Sequence, residues 1–212
     1  MMVHCILPDP TNGDRIWAGI SVGGCFRSDD DGKTWHPMNQ GVLADFQPQK
    51  FPEVGQCVHS MHLAPSDSGW LFQQNHCGVY RSRDAAATWD DISAGLPSRF
   101  GFASTVHPHD KETMYVVPQI SPDERYVCDG ALNMYRTRDG GATWTKLNKG
   151  LPQERVYTQV FRHAVTCDRC EDAGVYMGTI GGVLFFSTDS GDSWNVLEGH
   201  LPPIMSIETV IV

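Results

Sequence analysis

The side chains able to do chemistry in this chain sit in turn-rich segments. Asp123, Glu124, Asp129 and Glu154 are loop carboxylates, with Asp45 and Glu53 further upstream. Hydrolysis of a glycosidic bond needs two carboxylates flanking that bond, roughly 5–10 Å apart. Close by in sequence are Arg99, Arg125, Arg155 and Arg162, the rings of Tyr126 and Tyr157, and the pair Asn75-His76. Guanidinium, amide and aromatic groups together suit a sugar or another polar polymer. The candidate catalytic groups are therefore Asp123, Glu124, Glu154 and Tyr126. The candidate ligand-binding groups are Asn75, His76, Arg99, Arg125, Arg155, Tyr157 and Arg162.

Metal chemistry has weaker signals. Cys167-Asp168-Arg169-Cys170 has zinc-like spacing but no second pair to complete four ligands, so it reads as a free-thiol turn. His107-Pro108-His109-Asp110 reads as a hydrogen-bonded turn. His59 and His62 are three apart in a strand, which puts them on opposite faces. Aligning Asp29-Asp30-Asp31-Gly32 to a calcium loop leaves Arg27 and Met38 at its end positions, so that pattern fails. No metal and no cofactor is expected.

Composition narrows the class. The chain has 212 residues and a net charge of −9, from 16 Lys+Arg against 25 Asp+Glu. Phosphate binding needs clustered basic residues, so a nucleic-acid partner is not expected. No apolar run approaches the length of a membrane-spanning helix. Seven cysteines without regular spacing fit a reducing compartment. The start MMVHCILPDP carries no export signal, so the expected location is cytoplasmic. Short apolar runs rich in Val, Ile, Tyr, Phe and Trp, punctuated by 21 Gly and 13 Pro, indicate an all-β chain.

An internal repeat supplies the elements that position these residues. One octapeptide occurs four times: SDDDGKTW at 28–35, SRDAAATW at 82–89, TRDGGATW at 137–144 and STDSGDSW at 187–194. Its tryptophans are 54, 55 and 50 residues apart. An aromatic residue lies two positions before each copy: Phe26, Tyr80, Tyr135 and Phe185. A glycine follows each Trp: Gly41, Gly95, Gly150 and Gly199. The turn chemistry is that of a tight hairpin. The Asp accepts bonds across the turn, Gly supplies positive φ, and Trp buries a large area against the neighbouring sheet. Ser28, Asp30, Gly32, Trp35, Ser82, Asp84, Trp89, Thr137, Asp139, Gly141, Trp144, Ser187, Asp189, Gly191 and Trp194 are the structural residues of this turn. Ala86 stands in the Gly column and predicts a strained turn.

These octapeptides resemble the Asp-box, or bacterial neuraminidase repeat (BNR), over essentially the whole chain. The resemblance implies a β-propeller of four-stranded antiparallel blades, as in sialidases, some xyloglucanases, sortilin-type receptors and the photosystem II assembly factor. It is closest to bacterial BNR proteins of sialidase-like or glycosyl-hydrolase-like type. The expected blades are 1–43, 44–97, 98–152 and 153–202, in a single domain spanning 1–212, with 203–212 a strand of a further blade or a closing strand. Four blades are fewer than such propellers usually contain, so the chain reads as the C-terminal part of a larger one, with open blade edges able to associate. The repeats are C–D turns and lie on one face, which puts the candidate site on the other. Sialidases use three arginines, a Tyr–Glu pair and an Asp acid, and the residue types are present. The sialidase Phe/Tyr-Arg-Ile-Pro motif is absent, its nearest match being Phe161-Arg162-His163. The leading expectation is a soluble carbohydrate- or protein-binding propeller. The alternatives are an active glycoside hydrolase and an assembly factor or scaffold.

Overall fold

The computed structural model of the chain describes residues 1–211. Those residues form four antiparallel sheets of four strands, each ordered along the chain. Blade one contains β1 (Met2–Pro8), β2 (Ile16–Ser21), β3 (Gly24–Ser28) and β4 (His36–Pro37). Blade two contains β5 (Val58–Leu63), β6 (Leu71–Asn75), β7 (Gly78–Ser82) and β8 (Asp90–Asp91). Blade three contains β9 (Gly101–Val106), β10 (Met114–Pro118), β11 (Met134–Thr137) and β12 (Thr145–Leu147). Blade four contains β13 (Val165–Cys167), β14 (Val175–Gly178), β15 (Leu184–Ser187) and β16 (Asn195–Leu197). The inner strands β1, β5, β9 and β13 are neighbours in turn, which is the radial arrangement of a propeller. The fold is all-β and is part of a propeller.

The octapeptide turn has the same hydrogen bonds in all four blades. In blade three, Thr137 Oγ1 donates to Asp139 Oδ1 (2.7 Å) and accepts from the Gly141 amide (2.7 Å). Asp139 accepts from the Thr143 amide (2.9 Å) and hydroxyl (2.6 Å). The matching bonds close the other three turns. Ala86 keeps this conformation at φ 71° and is buried, so the strain at that position is carried by its surroundings. The turns bond back to the A–B connections, through Asp31 N to Asp14 O (2.9 Å), Ala85 N to Gly69 O (3.0 Å) and Gly140 N to Glu112 O (2.9 Å). Turns and A–B connections thus share one face.

Successive blades are joined by a device with the same period. Arg27, Arg81 and Arg136 each precede the octapeptide and donate to a carbonyl in the next blade's turn. The acceptors are Ala85 O (2.9 Å), Gly140 O (2.6 Å) and Ser190 O (2.7 Å). The amides of Trp89 and Trp194 bond back to Gln40 O and Lys149 O, both at 2.9 Å. That close approach explains Gly41 and Gly150. Each has φ near +90° (93° and 92°), and a Cβ on either would run into the carbonyl of the following blade's Trp. Between blades one and two, Trp17, Cys25, Met61, Leu71, Tyr80 and Trp89 form a continuous core.

Three expectations need correction. Trp35 is 40% exposed, whereas Trp89 and Trp194 are buried and Trp144 packs against the blade-two core. Each of those three packs on the preceding blade, and no described blade precedes the first. Blade one's outward face, with Val3, Ile6, Ile16, Ala18, Ile20, Phe26 and Trp35, is left as an apolar hollow of about 520 Å³. Second, the blade expected over 153–202 opens only at Val165, with an inner strand confined to Val165–Cys167, because 156–158 are held by the blade-three loop. Val156 N donates to Gly130 O (2.8 Å) and Val127 N to Thr158 O (3.1 Å). Third, the segment after 203 runs parallel to the inner strand but forms only a single bridge, His163 to Ser206, and no ladder. Position 212 lies outside the described residues.

Candidate functional site

The face opposite the octapeptide turns is built from the B–C turns and the linkers between blades. In blade two a β-bulge between Val58 and Ser60 shifts the register of β5. Val58 and Met61 therefore both pack on blade one, while His59 and His62 both turn to blade three. This overturns the opposite-face expectation for the two histidines, which assumed a regular strand. They still serve different places: His59 Nδ1 meets Gly101 O at 2.6 Å, and His62 Nε2 meets Ser104 Oγ at 3.0 Å.

Around His59 the loops converge. His76, in the B–C turn of the same blade, meets His59 edge to face at 5.5 Å between centroids. Phe46 from the first inter-blade linker lies 5.0 Å from His76, and Phe100 from the second lies 5.3 Å from it. Phe102 in β9 stacks on His59 at 4.6 Å. Two guanidiniums cap Phe102: Arg162 at 4.5 Å from the linker to blade four, and Arg125 at 5.7 Å from the blade-three B–C loop. Such cation–π contacts hold a charge at the edge of an apolar patch. Burial pushes the His59 ring down to about 3 and lowers His76, so both imidazoles are neutral at pH 7.

The Asp123–Asp129 loop joins this patch to a second one. Arg125 reaches Phe102, and the next residue, Tyr126, meets Tyr157 edge to face at 5.6 Å. Beyond Tyr157 lies a hollow of about 560 Å³ lined by Leu132, Glu154, Arg155, Tyr157, Thr158 and Phe185, among others.

The candidates fall into three groups. His76, Arg125 and Arg162 come together around Phe102 and His59; Glu154, Arg155 and Tyr157 line the second hollow, with Tyr126 against Tyr157. Asn75 and Arg99 support the framework. Asn75 is buried and donates to Gln73 Oε1 (3.2 Å), while Arg99 pairs with Asp91 and donates to Cys77 O (3.0 Å). Asp123, Glu124 and Asp129 are exposed, and Glu124 Oε1 accepts from the Tyr126 hydroxyl at 3.5 Å. Asp129 and Glu154 stand on loops tied by the Val156–Gly130 bond. Phe46, Phe100 and Phe102 were missed because an apolar ring by itself carries no chemical signal in the sequence, and His59 reads only as a strand histidine. Their convergence depends on two linkers and on the inner strands of two blades.

The seven cysteines are free thiols, and His109 Nε2 bonds Cys170 O at 2.7 Å, joining two A–B turns.

Comparison with known proteins places this geometry. No family model matches the chain. An oligoxyloglucan-reducing end-specific xyloglucanase of Emericella nidulans is 26% identical over 98% of this chain and 25% of its own length. Xyloglucanase Xgh74A of Acetivibrio thermocellus is 24% identical over 92% of this chain and 25% of its own. The chain thus spans about a quarter of the length of these curated relatives. Among solved structures, an ancestral GH74 enzyme superposes with a TM-score of 0.69 at 16% identity, covering 93% of this chain and 24% of the other. The GH74 xyloglucanase of Xanthomonas campestris gives 0.60 at 16% identity, over 92% and 30%. YCF48 of Cyanidioschyzon merolae gives 0.57 at 14% identity, over 92% and 55%. The chain is part of a β-propeller, similar in sequence to xyloglucanases and in fold to GH74 enzymes.

Proposed function

We propose that the chain forms the substrate-binding part of a glycoside hydrolase acting on a xyloglucan-type β-glucan. The observation that carries this is one face of the molecule that presents His76 and the exposed Phe46, then Arg125 and Arg162 over the buried Phe102, then Tyr126, the exposed Tyr157 and Glu154. Aromatic faces take the C–H faces of sugar rings, and guanidiniums and amides take their hydroxyls. The xyloglucanase relatives favour hydrolysis over binding alone. Glu154, in the hollow, is the carboxylate best placed to act, with Asp129 on the loop bonded to its own as the second candidate. A glycosidase needs this pair to flank the bond. The sialidase-like reading has less support, since the chain lacks the Phe/Tyr-Arg-Ile-Pro motif.

The test offers soluble xyloglucan to the chain and reads two signals, retardation in an affinity gel and release of reducing ends. Tyr157→Ala and Arg125→Ala are expected to weaken retardation by about tenfold, or about 1.4 kcal/mol. Glu154→Gln is expected to abolish release and keep retardation. Retardation without release in the unaltered chain returns the protein to a binding module. Neither signal sinks both readings.

A further inference from the structure

We propose that Cys57, His59 and His76 form a binding site for a thiophilic transition-metal ion. A donor atom from each lies within 4.8 Å of the other two. Ligand atoms around one ion, at bonds of about 2.0–2.3 Å, stand about 3.5 Å apart. A small contraction therefore closes the site. The three residues come from one blade: Cys57 and His59 flank the bulge that opens β5, and His76 lies in the B–C turn. The backbone bond from His76 N to Cys57 O (3.0 Å) holds the turn over the strand.

The surroundings prepare the ligands. The Gly101 carbonyl accepts from His59 Nδ1, which places the ring's lone pair on Nε2. A backbone acceptor of this kind commonly fixes the tautomer of a metal-ligating histidine. Phe46 and Phe100 hold the His76 ring edge-on. Cys57 is a free thiol. Binding then forms a metal–sulfur bond and releases the thiol proton to solvent, which makes affinity rise with pH.

Donor type and charge identify the ion. One thiolate and two imidazoles suit copper and zinc, and this donor set recurs in trigonal copper sites. The charged groups facing the cluster are Arg162 beside Cys57 and His59, and Arg125 and Asp45 beside His76, with the titratable His4 beside His59. Cu⁺ on a thiolate is neutral and sits beside Arg162 at little electrostatic cost. Zn²⁺ leaves one positive charge there and needs a water as fourth ligand. Cu⁺ is the preferred occupant and Zn²⁺ the second. The site does not depend on the substrate reading, because the ion itself is measured.

The reduced, chelator-stripped chain is titrated with Cu⁺ against a competing chelator, and separately with Co²⁺ as a coloured substitute for Zn²⁺. The expected result is a single ion bound per chain, with proton release and, for Co²⁺, a thiolate charge-transfer band. Cys57→Ser should remove the band, and both Cys57→Ser and His76→Gln should weaken binding by about 100-fold, at least the loss that outer-shell changes produce. Cys170→Ser, at an exposed turn on the opposite face, should change neither. Circular dichroism checks that the variants fold; His76 lies in a half-buried turn, so its variant serves if Cys57→Ser does not. Tight binding of either ion with these losses supports the site, and the ratio of the two affinities names the occupant. Binding of neither ion, or a band that survives both substitutions, overturns it.

Discussion

A single carboxylate closes each repeat turn. Hydrogen bonds, first from the Thr143 hydroxyl, hold Asp139 at about 2, below its ordinary 3.8, and Ser193 does the same for Asp189. A lowered folded-state value means that the carboxylate stabilises the fold fully above about pH 4 and stops doing so as the pH falls through about 2. Both side chains reach solvent, so screening keeps the contribution small. Asp139→Ala is expected to cost about 1–2 kcal/mol at pH 7, the cost of a lost side-chain cap. Urea unfolding should show that penalty shrinking toward pH 2, where the unaltered carboxylate is itself taking up its proton. An equal penalty at both pH values would contradict this account.

The arginine column works between elements. Arg81 is buried, donates to Gly140 O at 2.6 Å and to Asp90 at 2.9 Å, and so joins blade two to blade three. Removing it leaves the Gly140 carbonyl without that partner. Arg81→Met is expected to cost about 2–3 kcal/mol, the range for hydrogen bonds to charged groups. Arg83 is exposed and stacks on Trp70 from outside, so Arg83→Met should cost far less. Equal unfolding midpoints for the two variants would remove the inter-blade role. In blade four this column holds Phe186, and no described blade follows it. The turn itself was legible in the octapeptide, because its bonds are local and each partner lies within a few residues. The arginines also recur with the repeat, but their acceptors lie 54 to 59 residues away in the next blade. Only packing reveals them.

At the scale of the molecule, the apolar face of blade one is the surface that later blades bury. Val3 and Ile6 are largely exposed there. The double variant Val3→Lys, Ile6→Lys should keep the unfolding midpoint and lower the average mass of the chain in sedimentation at high concentration. An unchanged mass would exclude this face from self-association.

The repeat was enough to establish an all-β propeller and the two-faced distribution of its turns, because a short hairpin encodes its own geometry and recurrence encodes the array. It also brought His76, Arg125, Tyr157 and Glu154 into view as loop residues, and Arg162 as a residue of the following inner strand. Tertiary structure alone decided which of them meet. The bulge in β5 reversed the expected side of a histidine, and three linkers from different blades brought Phe46, Phe100 and Arg162 to His59 and His76. Linker paths are set by contacts between residues distant in the chain, and no local pattern carries that information.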